Sequence, residues 1–393
     1  MRRGLAATTL IGGLSSAGFI GAGHASASSQ NTSSAPVAPA TPPIGTLTQV
    51  NTGLRRPAGV SAFNGTVYMS NTSRNQVTAQ NTQTGVSAPV AGLFTGVGES
   101  GDGGPATAAT LTGPTGTAED AAGNVYIADT HDNVVRKVDV SSGIITRFAG
   151  TGAAGHGGLG RATHAKLDEP QGVAVNAAGD VFVADTLNNR VDEVLPNGLI
   201  VAFAGNGKPG YRGDGHKAKG AELTEPTAVA VDAAGNVYIA DASNNVVRRV
   251  AATTGVITTV AGDFAADQAN DGLGGFSGDG GPATSAQLSD PQGVALDSAG
   301  DLFIADRLNN AIREVTPNGN IFTVVSQAGA DGAIPIAGAE TNGPATASKL
   351  NGPTAVAVDN STGTLWIADT SNSRISQVTG LAHSGDAPGP VAR

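Results

Sequence analysis

One six-residue unit recurs along this 393-residue chain, and it limits the possible folds more than any other feature. Asn124-Val-Tyr-Ile-Ala-Asp129, Asp180-Val-Phe-Val-Ala-Asp185, Asn236-Val-Tyr-Ile-Ala-Asp241, Asp301-Leu-Phe-Ile-Ala-Asp306 and Thr364-Leu-Trp-Ile-Ala-Asp369 are copies of one element. A degenerate copy, Thr66-Val-Tyr-Met-Ser-Asn71, precedes them. The sixth positions, 71, 129, 185, 241, 306 and 369, stand 58, 56, 56, 65 and 63 residues apart. Self-similarity at such a period marks stacked or radially repeated supersecondary units.

Within each unit, short β-branched runs are separated by Gly/Asn/Pro turns, the pattern of four antiparallel strands. In the third copy, strand a covers Gly172 to Val175 after Pro170, b Val181 to Ala184, c Arg190 to Val194 and d Leu199 to Ala204. Six four-stranded units predict an all-β, six-bladed β-propeller. The last copy lacks a strand d after Val378, while Ile44 to Val50 resembles one and precedes the first copy. The N-terminal strand is therefore expected to complete the last blade and close the ring, removing an exposed edge. Small residues at matched places in strand a (Gly116, Gly172, Ala228, Gly293) fit a narrow axial channel. The strand-b aromatics Tyr126, Phe182, Tyr238, Phe303 and Trp366 fit packing between blades.

Composition removes several chemistries. The chain has no cysteine, so disulfide scaffolds, cysteine–zinc sites, thiol catalysis and Fe–S clusters are out. A net charge of −10 with no long basic run argues against a nucleic-acid partner. Residues 1–27 read as a secretory signal: Arg2 and Arg3, an apolar small-residue stretch, then Ala25-Ser26-Ala27. Glycine interrupts that stretch, so no stable membrane span is expected after cleavage. Residues 28–43, rich in Ser, Ala and Pro, read as a flexible tether, 44–380 as the propeller and 381–393 as a flexible tail. The protein is expected to be secreted, extracellular or attached to a cell surface, and monomeric.

The units resemble the NHL repeat, a β-propeller repeat family. The resemblance rests on Pro170 through Asn176, Asp180 through Asp185 and Asn244 through Arg248, and spans about 57 to 378. It implies scaffolding of protein or RNA in some members and a metal-dependent lyase in others. Related six-bladed propellers include lactonases and esterases. The lyase members would want histidines in the inner strands, and strand a here has none.

The repeated Asp129, Asp185, Asp241, Asp306 and Asp369 are read as structural, pinning the turn that follows strand b. Arg136, Arg248 and Arg313 share one place in strand c and are expected to pair with them or to cover the blade edge with their aliphatic stems, rather than to capture a ligand. Strand direction puts the b–c turns and the long d-to-a crossings on one upper face, where variable loops on a rigid frame usually recognise ligands. Phe94, Tyr211, Phe264 and Phe276, with Asp102, Asp214 and Asp279, are the binding-face candidates in those crossings. His131, His156, His164 and His216 are the candidate metal ligands on the same face. No cofactor is required, though calcium or zinc would be the ions to expect. Glu99, Glu119, Glu169 and Glu225 lie near strand starts, where a paired-carboxylate enzyme would want acids. Catalytic residues are not assigned. The leading expectation is a secreted binding or scaffold module for a protein or extracellular polymer. The alternative is a metal-dependent lyase or lactone/ester hydrolase at the upper mouth of the channel.

Overall fold

The computed structural model describes residues 45–51, 53–157, 160–269, 271–326 and 342–381. The expected signal and tether, and all of the tail beyond 381, lie outside the described residues.

Six antiparallel sheets form the blades of a propeller. Strand a opens each blade on a proline: Pro57–Phe63, Pro114–Glu119, Pro170–Val175, Pro226–Val231, Pro291–Leu296 and Pro353–Asp359. These six strands neighbour one another in chain order around the axis, and the sixth returns to the first. Blade 3 shows how closely the repeat pattern marks its strands, which are Pro170–Val175, Val181–Asp185, Arg190–Val194 and Leu199–Ala204. Convergence at the axis demands small residues, since a Cβ on Gly172 would sit 2.7 Å from the Ala228 Cα. Among the described residues, no helix is long and apolar enough to cross a membrane.

Closure comes from the N-terminus. Thr46–Asn51 pairs antiparallel with Arg374–Thr379, with Leu47 opposite Val378 and Thr48 opposite Gln377. Leu47 is fully buried in the seam between blades 5 and 6. Burying a leucine stabilises by about 2 kcal/mol, and the pairing also removes two open strand edges.

The aromatics of strand b lie between blades. Tyr126, Phe182, Phe303 and Trp366 are buried, and Tyr126 and Phe182 meet Phe148 and Phe203 edge-on at 4.9 and 4.8 Å.

The crossings differ from the simple upper-face reading. The described parts of the crossings descend along the outside of the following blade and pair with the start of its strand d, at the lower end. Pro105 bridges Ile144, Gly160 pairs with Ile200, Lys217 bridges Val256 and Pro282 bridges Asn320. A single 3-10 turn follows, as at Ala106–Ala108, and then a fully buried leucine: Leu111, Leu167, Leu223 or Leu350, with Leu288 nearly so. The crossings are thus consumed in covering blade edges. His164 and His216 go down with them to the strand-d starts, so the expectation that they share the upper face is corrected.

Candidate functional site

The geometry of the upper face begins with the turn after strand b. Each turn, a 3-10 turn in every blade but the fifth, ends on a residue of positive φ: Asn75, Asn133, Asn189, Asn245, Asn310 or Ser373, with φ from 51° to 56°. Asparagine tolerates that conformation better than most residues. Its side-chain oxygen then reaches the next blade. Asn133 accepts the Glu169 N–H at 3.0 Å, Asn189 the Glu225 N–H at 3.0 Å and Asn245 the Asp290 N–H at 2.7 Å.

The strand-b aspartates sit beneath this layer. Asp129, Asp185, Asp241 and Asp306 accept backbone N–H groups of Thr112, Asp168, Thr224 and Ser289 at 2.7 Å, and Asp369 that of Asn351 at 2.8 Å. All five are fully buried. Desolvation pushes Asp241 and Asp306 up to about 6 and Asp129 to about 8, against hydrogen bonds and arginines that pull down. Arg136, Arg248 and Arg313 lie buried between these carboxylates and a second set, Asp102, Asp214 and Asp279, at 2.7, 2.5 and 2.6 Å. Blade 3 has Asp192 in place of the arginine, and Arg190 bridges Asp185 and Asp192 at 3.1 and 2.9 Å.

The binding-face candidates are placed by the same contacts. Asp102, Asp214 and Asp279 are engaged by buried arginines. Tyr211 stacks on Phe264 with centroids 3.9 Å apart and covers Arg248, and Phe276 is buried over Arg313. These three binding-face candidates therefore pack into small cores under the crossings. Phe94 alone of the four is largely exposed. His156 lies against Arg190, His216 bonds the Asp214 carbonyl, and His131 stands at the mouth. Among the described residues, no three histidine or carboxylate side chains come together to hold a metal.

The mouth is where the structure gathers chemistry. A cavity of about 640 Å³ opens there, above a narrower channel of about 130 Å³. Ala58, Gln171, Thr227, Gln292 and Thr354 form the collar between the two. The rim is the column immediately before the strand-a proline: Arg56, Gly113, Glu169, Glu225, Asp290 and Gly352, with φ of 49°, 61°, 46°, 49°, 52° and 57°. Left-handed backbone costs a non-glycine residue about 1 kcal/mol relative to glycine. Blades 2 and 6 avoid that cost, whereas the other four carry a charged side chain instead. In the sequence this column is legible as the place where otherwise similar repeats disagree.

The rim charges have different fates. Arg307 ion-pairs Asp290, which also accepts from Gln292 Nε2 at 2.7 Å. Ser243 Oγ donates to Glu225 Oε2 at 2.7 Å. The Glu169 carboxylate, the His131 ring and the Arg56 guanidinium have no bonding partner among the described residues and line the cavity. Of the two remaining glutamates near strand starts, Glu99 takes both guanidinium arms of Arg147 at 2.5 Å. Glu119 is set in the seam between blades 1 and 2.

Comparison with known proteins agrees with this architecture. The model for the Teneurin NHL domain matches residues 206–270 and 266–379, and that for the NHL repeat matches 167–191. The fold is an NHL-type β-propeller. Teneurin-4 of Mus musculus is 32% identical over 237 residues, which cover 56% of this chain and 8% of that protein. Teneurin-3 of Danio rerio is 28% identical over 327 residues, covering 74% and 12%. The chain therefore spans only about a tenth of the length of these relatives. Among solved structures, a streptogramin B lyase aligns with a TM-score of 0.51 and 14% identity, over 86% of this chain and 98% of the lyase. A gluconolactonase from Xanthomonas campestris aligns at 0.55 and 12%, over 88% and 99%. A Bacteroides thetaiotaomicron protein of unknown function aligns at 0.59 and 14%, over 85% and 76%. At these identities the likeness is one of fold.

Proposed function

We propose that the chain turns over a small polar molecule at the upper mouth of the channel, by chemistry of the lactone/ester-hydrolase or lyase kind. The observation that carries this is the cavity of about 640 Å³ whose rim holds unlike charged groups on strained backbone. Cavities of this size suit small molecules, and strained backbone concentrates at functional sites. The lactonase and lyase propellers with the same fold support the reading. His131 on blade 2 and Glu169 on blade 3 flank neighbouring parts of the rim, and neither side chain has a bonding partner among the described residues. In ester cleavage one removes a proton from the attacking water, and the other returns a proton to the leaving oxygen. Arg56 stabilises negative charge that develops on the carbonyl oxygen.

The rim does not fit a resident divalent ion. Calcium wants six or more oxygens and zinc a compact set of nitrogen and carboxylate ligands. Here Asp290 is committed to Arg307, and among the described residues no three histidine or carboxylate side chains come together. The test is hydrolysis of a panel of lactones and esters. Glu169→Gln and His131→Asn should each lower kcat about 100-fold or more with unchanged melting temperature. Turnover that survives both substitutions, or no turnover across the panel, overturns the reading.

A second reading, capture of a protein or extracellular polymer, is favoured by Leu93, Phe94 and Val97, exposed by 45%, 56% and 74% in one crossing. Phe94→Ser should leave small-molecule turnover intact and abolish any such capture. Export through residues 1–27 belongs to the same proposal, and a mature N-terminus at Ser28 would be its signature.

A further inference from the structure

Six blades in chain order around a ring place blades 1 and 4 opposite each other. The rim residue of blade 1 is Arg56 and that of blade 4 is Glu225, and both line the same cavity. Blade 3 and blade 6 face each other as Glu169 and Gly352, and blade 5 faces blade 2 with its Asp290 already neutralised by Arg307. The axis from blade 1 to blade 4 is thus the one diameter of the rim carrying opposite charges at its two ends. Both residues adopt positive φ where two other blades use glycine. Ser243 Oγ occupies Glu225 Oε2 at 2.7 Å and leaves the other carboxylate oxygen to the cavity. A hydroxyl donor on one oxygen fixes the direction of the second without cancelling its charge.

From this we infer that the molecule held at the mouth is dipolar, with an ammonium group facing Glu225 and a carboxyl-derived group facing Arg56. The class is a small amino acid, or an ester or lactone of one, lying across the channel. The Gln171, Thr227, Gln292 and Thr354 collar below supplies neutral donors and acceptors for its middle. This rests on the mouth being the working site and adds the charge pattern of what it takes. Opposite charges at two ends of a cavity also fix orientation, because the reversed molecule meets like charge at both ends.

The probes are straight-chain ω-amino acids of three to seven carbons, with their N-acetyl forms and the matching fatty acids, titrated by calorimetry into the full chain. At least one ω-amino acid should bind tenfold or more tighter than its N-acetyl form. Glu225→Gln should erase that ratio, and Arg56→Gln should erase the preference for carboxylate over its methyl ester. Both substitutions keep the backbone requirement unchanged, so folding is checked by an unaltered melting curve. Equal binding of charged and N-acetyl forms, or a ratio that persists in Glu225→Gln, overturns the inference. If neutral lactones are turned over while the ammonium gives no advantage, the inference falls and the function stands. If ω-amino acids bind with the stated ratio but nothing is turned over, the reverse holds.

Discussion

Glu119 offers the most direct test of how the ring is held together. In five seams, the facing inner-strand positions are alanine against valine and a second apolar residue, as with Ala174 against Val229 and Val231. The seam between blades 1 and 2 has Ser61, Thr117 and Glu119 instead. Ser61 Oγ lies 2.7 Å from Thr117 Oγ1 and donates to Glu119 Oε1 at 2.8 Å. Burial pushes the Glu119 carboxyl from its ordinary 4.5 up to about 7, the Ser61 bond opposing. That rise is worth about 3 kcal/mol at roughly 1.4 kcal/mol per tenfold change in proton affinity, and partial solvent access brings it to about 2. The folded protein holds the extra proton, so this contribution is fully present below about pH 4.5 and disappears as the pH climbs to about 7. Urea unfolding of the protein and of Glu119→Gln at pH 4.5, 6 and 7.5 measures it. Asp129, Asp192, Asp241 and Asp306 are also raised, and the difference between the two proteins cancels them. The variant should be of similar stability at pH 4.5 and more stable by about 2 kcal/mol at pH 7.5. A gap that stays constant across that range refutes the reasoning. The triple change Ser61→Ala, Thr117→Val, Glu119→Val, which copies the other seams, should likewise stabilise at neutral pH.

Three further outcomes follow from contacts at other seams and blades. The hydroxyls of Thr72, Thr130, Thr186 and Thr370 donate to the carbonyls of Pro114, Pro170, Pro226 and Pro57 in the next blade at 2.7–2.9 Å. Thr186→Val should cost about 1 kcal/mol in thermal or urea unfolding, and Ala242→Thr, which restores the missing hydroxyl in blade 4, should gain a similar amount. Asp214→Asn leaves Arg248 paired with Asp241 at 3.3 Å, so urea unfolding should show a loss of about 2 kcal/mol. Arg248→Met should cost more, about 3 kcal/mol, because it strips the cation from a fully buried carboxylate. Leu47→Asp should lower the melting temperature by more than Asp214→Asn does, because it puts a charge into the closing seam.

Much of the fold was legible because the repeat states strand phase six times over. The short, mostly apolar run Val181–Asp185 between turns, and the proline at the head of each strand a, marked the strands nearly to the residue. The N-terminal strand was legible because the last unit visibly lacked one. The crossings were not, since the pairing of Lys217 with Val256 joins segments that share no local pattern. Tyr211 and Phe276 look like exposed aromatics until the arginines beneath them are placed. Of the mouth, His131, Glu169 and Glu225 could be picked out as chemistry-bearing residues, but Arg56, Asp290 and Arg307 could not. What the repeats share is what the fold needs, and a search for shared residues passes over the column where they differ.

Closure by Thr46–Asn51 also orders events in time. A ribosome delivers that strand long before its partner, Arg374–Thr379, so for most of synthesis it has nothing to pair with. The final blade can form only when nearly the whole propeller has emerged, which makes completion of the ring a late, all-chain event.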